Sequence, residues 1–259
     1  MLRRTLLAAF TCALPVAAQA ASSPWYPTDG GQVRLVVEDR APQGGILKGV
    51  LEIDLHDGWK TYWRDPGDAG IPPQIDIGAS TNVSAATIRF PAPRRFDEGY
   101  GAWAGYKGAV RLPVEFAIPD PASFSVIEAD IFLGVCEEIC VPVQARLSVT
   151  QPTQHDDATV DAAFAALPDP ASETLHVSEM ADRGEKLLAR APGTQAPAEL
   201  FVVTPPGWTL GVPEITSEAG APTFSIPVLA RPESAGPSPA FDYTLVAGDR
   251  AVNGTVALK

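Results

Sequence analysis

The chain has 259 residues, 46% of them hydrophobic, with 19 basic against 31 acidic side chains and a formal net charge of −12. That field repels nucleic acid and anionic lipid surfaces, so neither is expected as a partner. With 26 prolines and 22 glycines beside an ordinary apolar fraction, the composition suits short strands and turns rather than disorder.

Residues 1–20 read as a secretory signal peptide: Arg3 and Arg4 form a basic start, residues 6–18 are apolar, and Ala18-Gln19-Ala20 is a small-x-small cleavage site. Cleavage removes Cys12 and two of the 19 basic residues, leaving 17 against 31 acidic ones, a net charge of −14. No later segment reaches the ~18 uninterrupted apolar residues of a membrane span. The expectation is a soluble protein outside the cytoplasm, with no membrane insertion, in a compartment where disulfides persist.

From residue 32 to 149 the dominant period is two. Leu51, Ile53 and Leu55 alternate with Glu52, Asp54 and His56, and Val110, Leu112, Val114 and Phe116 alternate with Arg111, Pro113 and Glu115. These predict half-buried antiparallel strands with one wet face. Further strands are predicted at 32–39, 87–90, 125–136 and 140–149, a spacing that fits a sandwich. Residues 156–167 break the pattern. Asp156 or Asp157 can cap a short helix with Val160, Phe164 and Leu167 on one face and Pro168 as its stop. Strands return at 199–203, 223–229, 241–246 and 251–258, with 247–250 as a hairpin turn. The expected organisation is all-β: a first sandwich domain over 21–152, a helical connector over 153–172 and a second β-sandwich domain over 173–259.

Two cysteines remain in the mature chain, Cys136 and Cys140. If strands flank them, Glu137-Glu138-Ile139 is a three-residue hairpin loop with the cysteines opposed at its mouth. Opposed residues there have Cα atoms ~4.5–5.5 Å apart, within the range a disulfide accepts. A structural staple is the plainest reading, but closing so small a ring constrains the unfolded chain by only ~2 kcal/mol, against ~4.7 for a 100-residue loop. A bond at a hairpin tip is instead open to in-line attack by another thiolate. Adjacent Glu137 and Glu138 disfavour a thiolate and make a dithiol slow to react indiscriminately. Two thiolates also suit copper(I), whereas zinc wants four ligands. His56, His155 and His176 are scattered, so no metal and no cofactor is expected.

Here the residues match a known family. The run Arg95-Phe96-Asp97-Glu98-Gly99-Tyr100-Gly101, then Tyr106-Lys107-Gly108, then Arg111-Leu112-Pro113-Val114, then the cysteine hairpin ending in Pro142, resembles the N-terminal periplasmic domain of the DsbD thiol:disulfide interchange proteins. The stretch from Gly58-Trp59-Lys60-Thr61-Tyr62-Trp63-Arg64-Asp65-Pro66-Gly67 to Pro72-Pro73 is similar to the ScsB-like branch. The match spans about residues 30–150. It implies immunoglobulin-like sandwiches and a Cys136/Cys140 couple that passes electrons from a membrane-embedded or thioredoxin-like reductase donor to periplasmic client proteins. It also places Asp97 and Glu98 in the acidic pair of the loop covering the couple, and Tyr100 as the aromatic that follows.

Three departures stand out. Gly99 occupies a position that is aromatic in the family, so Tyr100 or Trp103 is expected to supply the shield. Three residues, not five, separate the cysteines. The chain ends at Lys259 without transmembrane or thioredoxin-like modules, so its electrons are expected from a separate donor. Trp59, Tyr62 and Trp63 are assigned to core or turn packing, and Gly99, Gly101, Gly105 and Gly108 to tight loops needing positive φ. The expected mechanism is dithiol–disulfide exchange, with Cys140 attacking by family analogy. Its rivals are an inert two-domain binding or assembly module and a copper(I) handler, the latter suggested by the branch's association with copper stress.

Overall fold

The computed structural model describes residues 22–67, 70–97, 101–150, 157–194, 197–218, 221–232 and 239–259. Among the described residues there are two β-sandwiches and one helix. The signal peptide expected at 1–20 lies outside the described residues.

In the first sandwich, one sheet runs in the order Tyr26–Thr28, Gly31–Val37, Ile46–Leu55, Val110–Ala117, Ala85–Ile88. The facing sheet runs Cys140–Thr150, Val126–Cys136, Lys60–Tyr62, Ala102–Lys107, Arg94–Asp97, with Gln74–Asp76 also paired to Val126–Cys136. All pairings in these two sheets are antiparallel. Alternation places Leu35, Leu51, Ile53, Leu112, Phe116 and Leu133 between the sheets, each at most 1% exposed. Each such side chain is stabilised by about 1.5–3 kcal/mol relative to exposure.

The outer face of the first sheet is not uniformly wet as expected. Glu52 falls on that face but is buried, accepting hydrogen bonds from Nε of Arg34 (2.6 Å) and Nε of Arg111 (2.8 Å). Two guanidinium partners offset the cost of drying a carboxylate. Nearby, the helix Asp157–Ala165 packs Val160 and Ala163 on Val36 and Val50, so both faces of these strands are covered. The helix face is Val160, Ala163 and Phe164, not one reaching Leu167, because the helix ends at Ala165. Asp157 does not spend its carboxylate on the helix. It accepts from the Asp39 backbone N–H (2.9 Å) and Arg40 Nε (3.1 Å), clamping the helix to the sandwich. Asp156 lies outside the described residues.

The second sandwich pairs Asp169–Pro170, Arg250–Ala257, Ala240–Ala247 and Ala198–Val202 in one sheet. The other holds Glu179–Asp182, Lys186–Arg190, Ala221–Ala230 and Thr209–Leu210, with Glu214–Glu218 also on Ala221–Ala230. Leu187, Phe224, Ile226, Phe241 and Leu245 fill it. The hairpin expected at 247–250 is present, with Ala247 paired to Arg250 and Gly248 at φ 62°.

The two sandwiches touch along one seam. Phe201, from the Ala198–Val202 strand, is 1% exposed and belongs to the core of the first sandwich, with Val203 and Val246 packed beside it. Its ring meets Trp63 edge-on at 5.8 Å, and the Arg95 guanidinium lies 4.7 Å from its centroid. Arg95 donates to the Leu200 carbonyl (3.0 Å), and the Thr204 N–H donates to Asp65 (2.6 Å). Burial pulls the Arg95 guanidinium below its ordinary pKa, against the opposing pull of Glu199. Thus Trp63, Asp65 and Arg95, all from the family-like motifs, hold the second sandwich in place.

Candidate redox site

Val126–Cys136 and Cys140–Thr150 form one long hairpin whose last register pair is Cys136 opposite Cys140. The two are joined in a disulfide, with Cα atoms 4.1 Å apart, slightly closer than the hairpin-mouth expectation. The sulfurs are unequal. Cys136 is 1% exposed, whereas Cys140 lies on the surface beside Glu137, Glu138 and Ile139, all exposed.

What buries Cys136 is an aromatic cluster on the outer face of its sheet: Tyr62, Trp103 and Phe96. Period two puts Tyr62 there while Trp63 and Thr61 point inward, and Thr61 hydrogen-bonds the Gly134 carbonyl (2.9 Å). Trp103 stacks on Phe96 at 4.4 Å and meets Tyr62 edge-on at 5.8 Å. Lys60 and Lys107 extend over the rings of Trp103 and Phe96, each with Nζ 4.8 Å from the centroid. Such cation–π contacts favour a fixed ring orientation.

The hydroxyl of Tyr62 lies 3.0 Å from Sγ of Cys136 and 3.1 Å from Sγ of Cys140. Tyr62 is buried in packing as expected, and in addition its polar end lies against the disulfide. Trp59 and Trp63 do pack against the core as expected. The glycine expectation also divides. Gly101 and Gly108 take positive φ (120° and 72°), but Gly105 is a strand residue directly opposite Tyr62. A Cβ at Gly105 would stand 2.2 Å from the Thr61 carbonyl oxygen and 2.9 Å from the Trp103 ring. Its glycine is required by close packing rather than by a turn.

Asp97 ends the Arg94–Asp97 strand, exposed, in register with Ala102. Phe96, its neighbour, stacks on Trp103 and so tethers this strand to the cysteine cluster. Glu98, Gly99 and Tyr100 lie outside the described residues, while Gly101 lines the groove that contains both cysteines. Trp103 packs in the same buried cluster as Cys136.

That groove has a volume of about 1270 Å³. One wall is Lys60, Tyr62, Trp103 and the cysteine hairpin; the other comes from the second sandwich and includes Trp208, Leu210, Val212 and Leu229. Among the described residues no three His, Cys, Asp or Glu side chains cluster as a metal site, and no helix is long and apolar enough to cross a membrane.

An immunoglobulin-like sandwich with a disulfide at its hairpin tip, backed by an aromatic cluster, is an arrangement compatible with thiol–disulfide interchange. Residues 32–152 match the family described as "Thiol:disulfide interchange protein DsbD, N-terminal". The chain is also similar in fold to the N-terminal periplasmic domain of ScsB from Proteus mirabilis. The two have a TM-score of 0.76 and 22% identity over 92% of this chain and 98% of that one, so the likeness runs through both sandwiches. None of the curated proteins matches the chain.

Proposed function

We propose that this protein carries electrons in the periplasm, where residues 1–20 would direct it. The Cys136–Cys140 pair takes electrons from a membrane-embedded or thioredoxin-like donor and passes them to client disulfides. The observation that carries this reading is the asymmetry of the two sulfurs around one hydroxyl: Cys140 exposed, Cys136 buried, Tyr62 touching both.

In the reduced form, the Cys140 thiolate attacks a client disulfide; one client sulfur leaves as thiolate and a mixed disulfide forms. The Cys136 thiolate then attacks Sγ of Cys140, closing the intramolecular bond and releasing the second client sulfur. The client gains two electrons and two protons, and the pair is oxidised. Loading runs in reverse, with the donor attacking Cys140 and Cys136 departing. A thiolate at the buried Cys136 is costly without a hydrogen bond, and the Tyr62 hydroxyl can donate one. By the family resemblance, Asp97, Glu98 and Tyr100 complete the site in this reading, with the acidic pair tuning or relaying protons.

The test is a trapping pair. With a disulfide-bonded client protein, Cys136→Ser should accumulate a mixed disulfide through Cys140, and Cys140→Ser should accumulate almost none. Equal absence of trapping in both variants, with a bond in the native protein that resists reduced thioredoxin, would favour an inert module instead.

A further inference from the structure

The exchange reading leaves open where a partner sits, and the seam between the sandwiches answers that. A mixed disulfide brings the partner's sulfur to about 2.05 Å from Sγ of Cys140. The partner's surface around that sulfur must then enter the groove beside Cys140. A protein–protein contact of ordinary size covers roughly 800 Å² on each side, more than a three-residue hairpin loop offers. Whatever docks on Cys140 therefore meets the opposite wall, which belongs to the second sandwich.

That wall has the character of a contact surface. Among the described residues only seven large hydrophobic side chains are exposed, and three line this groove: Ile139 at 77%, Leu229 at 61% and Val212 at 36%. They stand on both walls of the groove that holds the disulfide, Ile139 from the first sandwich and the other two from the second. Apolar side chains gathered in one groove mark an interaction site more strongly than the same residues scattered. The wall is also preformed. Phe201 is seated in the first core, Asp65 holds the Thr204 N–H and Arg95 holds the Leu200 carbonyl. Trp208 is braced edge-on against Phe241 at 5.6 Å, with the Arg231 guanidinium 5.0 Å from its ring.

Charge selects the occupant further. Glu137 and Glu138 project from the hairpin tip, on a chain of net charge −12. The cations that line the groove are engaged, Lys60 with the Trp103 ring and Arg95 with Phe201 and Leu200. Resting on the exchange reading above, we infer that the second sandwich is half of the docking cleft for the protein dithiol that loads this disulfide. Val212 and Leu229 receive an apolar collar around the partner's attacking cysteine, and Glu137 and Glu138 face a basic rim. The step is balanced: the partner's thiolate attacks Cys140 Sγ and Cys136 leaves as thiolate. The partner's second thiolate then releases Cys140, so the partner is oxidised to a disulfide as this pair gains two electrons.

The experiment compares two reductants on the oxidised mature protein, reduced thioredoxin as protein dithiol and dithiothreitol as a small one. Val212→Asp with Leu229→Asp, and Leu229→Asp alone, are set against Phe124→Asp, an exposed hydrophobic that does not line the groove. The double variant should lose about tenfold in rate with thioredoxin, the effect of one lost interface anchor. It should keep its dithiothreitol rate, and Phe124→Asp should keep both. An unchanged thioredoxin rate, or an equal fall with both reductants, would overturn the docking cleft while leaving the exchange reading in place. If the native protein reacts with dithiothreitol but not with thioredoxin, the exchange reading itself fails and the cleft with it.

Discussion

The Tyr62 hydroxyl lies 3.0 Å from the sulfur of Cys136, a residue 74 positions away in sequence, on the adjoining strand. The neighbouring pairs Thr61 with Val135 and Lys60 with Cys136 set this contact, and the bare Gly105 opposite Tyr62 lets its strand approach. A hydrogen bond to a charged group contributes about 1.5–3 kcal/mol, so the hydroxyl bears directly on how easily Cys136 leaves as thiolate.

Tyr62→Phe should keep the fold, because the ring and its contact with Trp103 remain. It should slow reduction of the disulfide by dithiothreitol about tenfold, and raise by about one unit the pKa governing Cys136 in the reduced protein. Stopped-flow tryptophan fluorescence, followed across pH, reads both effects. An unchanged rate and pH profile would reduce Tyr62 to packing.

Phe201 is the side chain that the second sandwich lends to the first core. Phe201→Ala should cost about 3–5 kcal/mol, as large-to-small core changes do. It should also split a single calorimetric transition into two, since the sandwiches would then unfold apart. One transition with a loss below about 1 kcal/mol would show that the seam couples them only weakly.

Asp182 pairs with Arg231, which in turn covers Trp208 on the groove wall. The guanidinium holds the Asp182 carboxyl below the usual carboxylate range, with the Gly184 N–H adding to it and burial opposing. Because the folded pKa is depressed, this stabilisation is complete above the unfolded value near about 4 and is lost as pH falls through the lower folded value. The pair is partly exposed, so Asp182→Asn should cost less than about 1 kcal/mol at pH 7, and the difference should shrink in urea melts at about pH 3. A deficit that persists undiminished in acid would contradict the ion pair as its source.

Period two made the strands around Leu51, Leu112 and Leu133 legible, because each has one face in the core and one facing outward. It failed at Ala102–Lys107, where Trp103 through Tyr106 are all buried, so nothing alternates, and Gly105 with the flanking Gly101 and Gly108 imitates a loop. Lys186–Arg190 carries no period-two signal because it is short and has Leu187 and Leu188 side by side. Of the site, the cysteine pair was readable because its partners are four residues apart on one hairpin. Tyr62 was not, because its role is set by strand pairing over 74 residues, and an aromatic in a Trp-rich stretch reads as core. The same limit applied to Phe201, an ordinary strand residue until the two sandwiches meet.

The most direct measurement is the reduction potential of the Cys136–Cys140 couple, taken by equilibrating the protein in glutathione buffers and counting alkylated thiols by mass. A carrier that is loaded by a thioredoxin-like donor and unloaded on clients should lie between about −270 and −180 mV. A value below about −300 mV, in the range of structural disulfides, would contradict electron transfer and leave the bond as a staple.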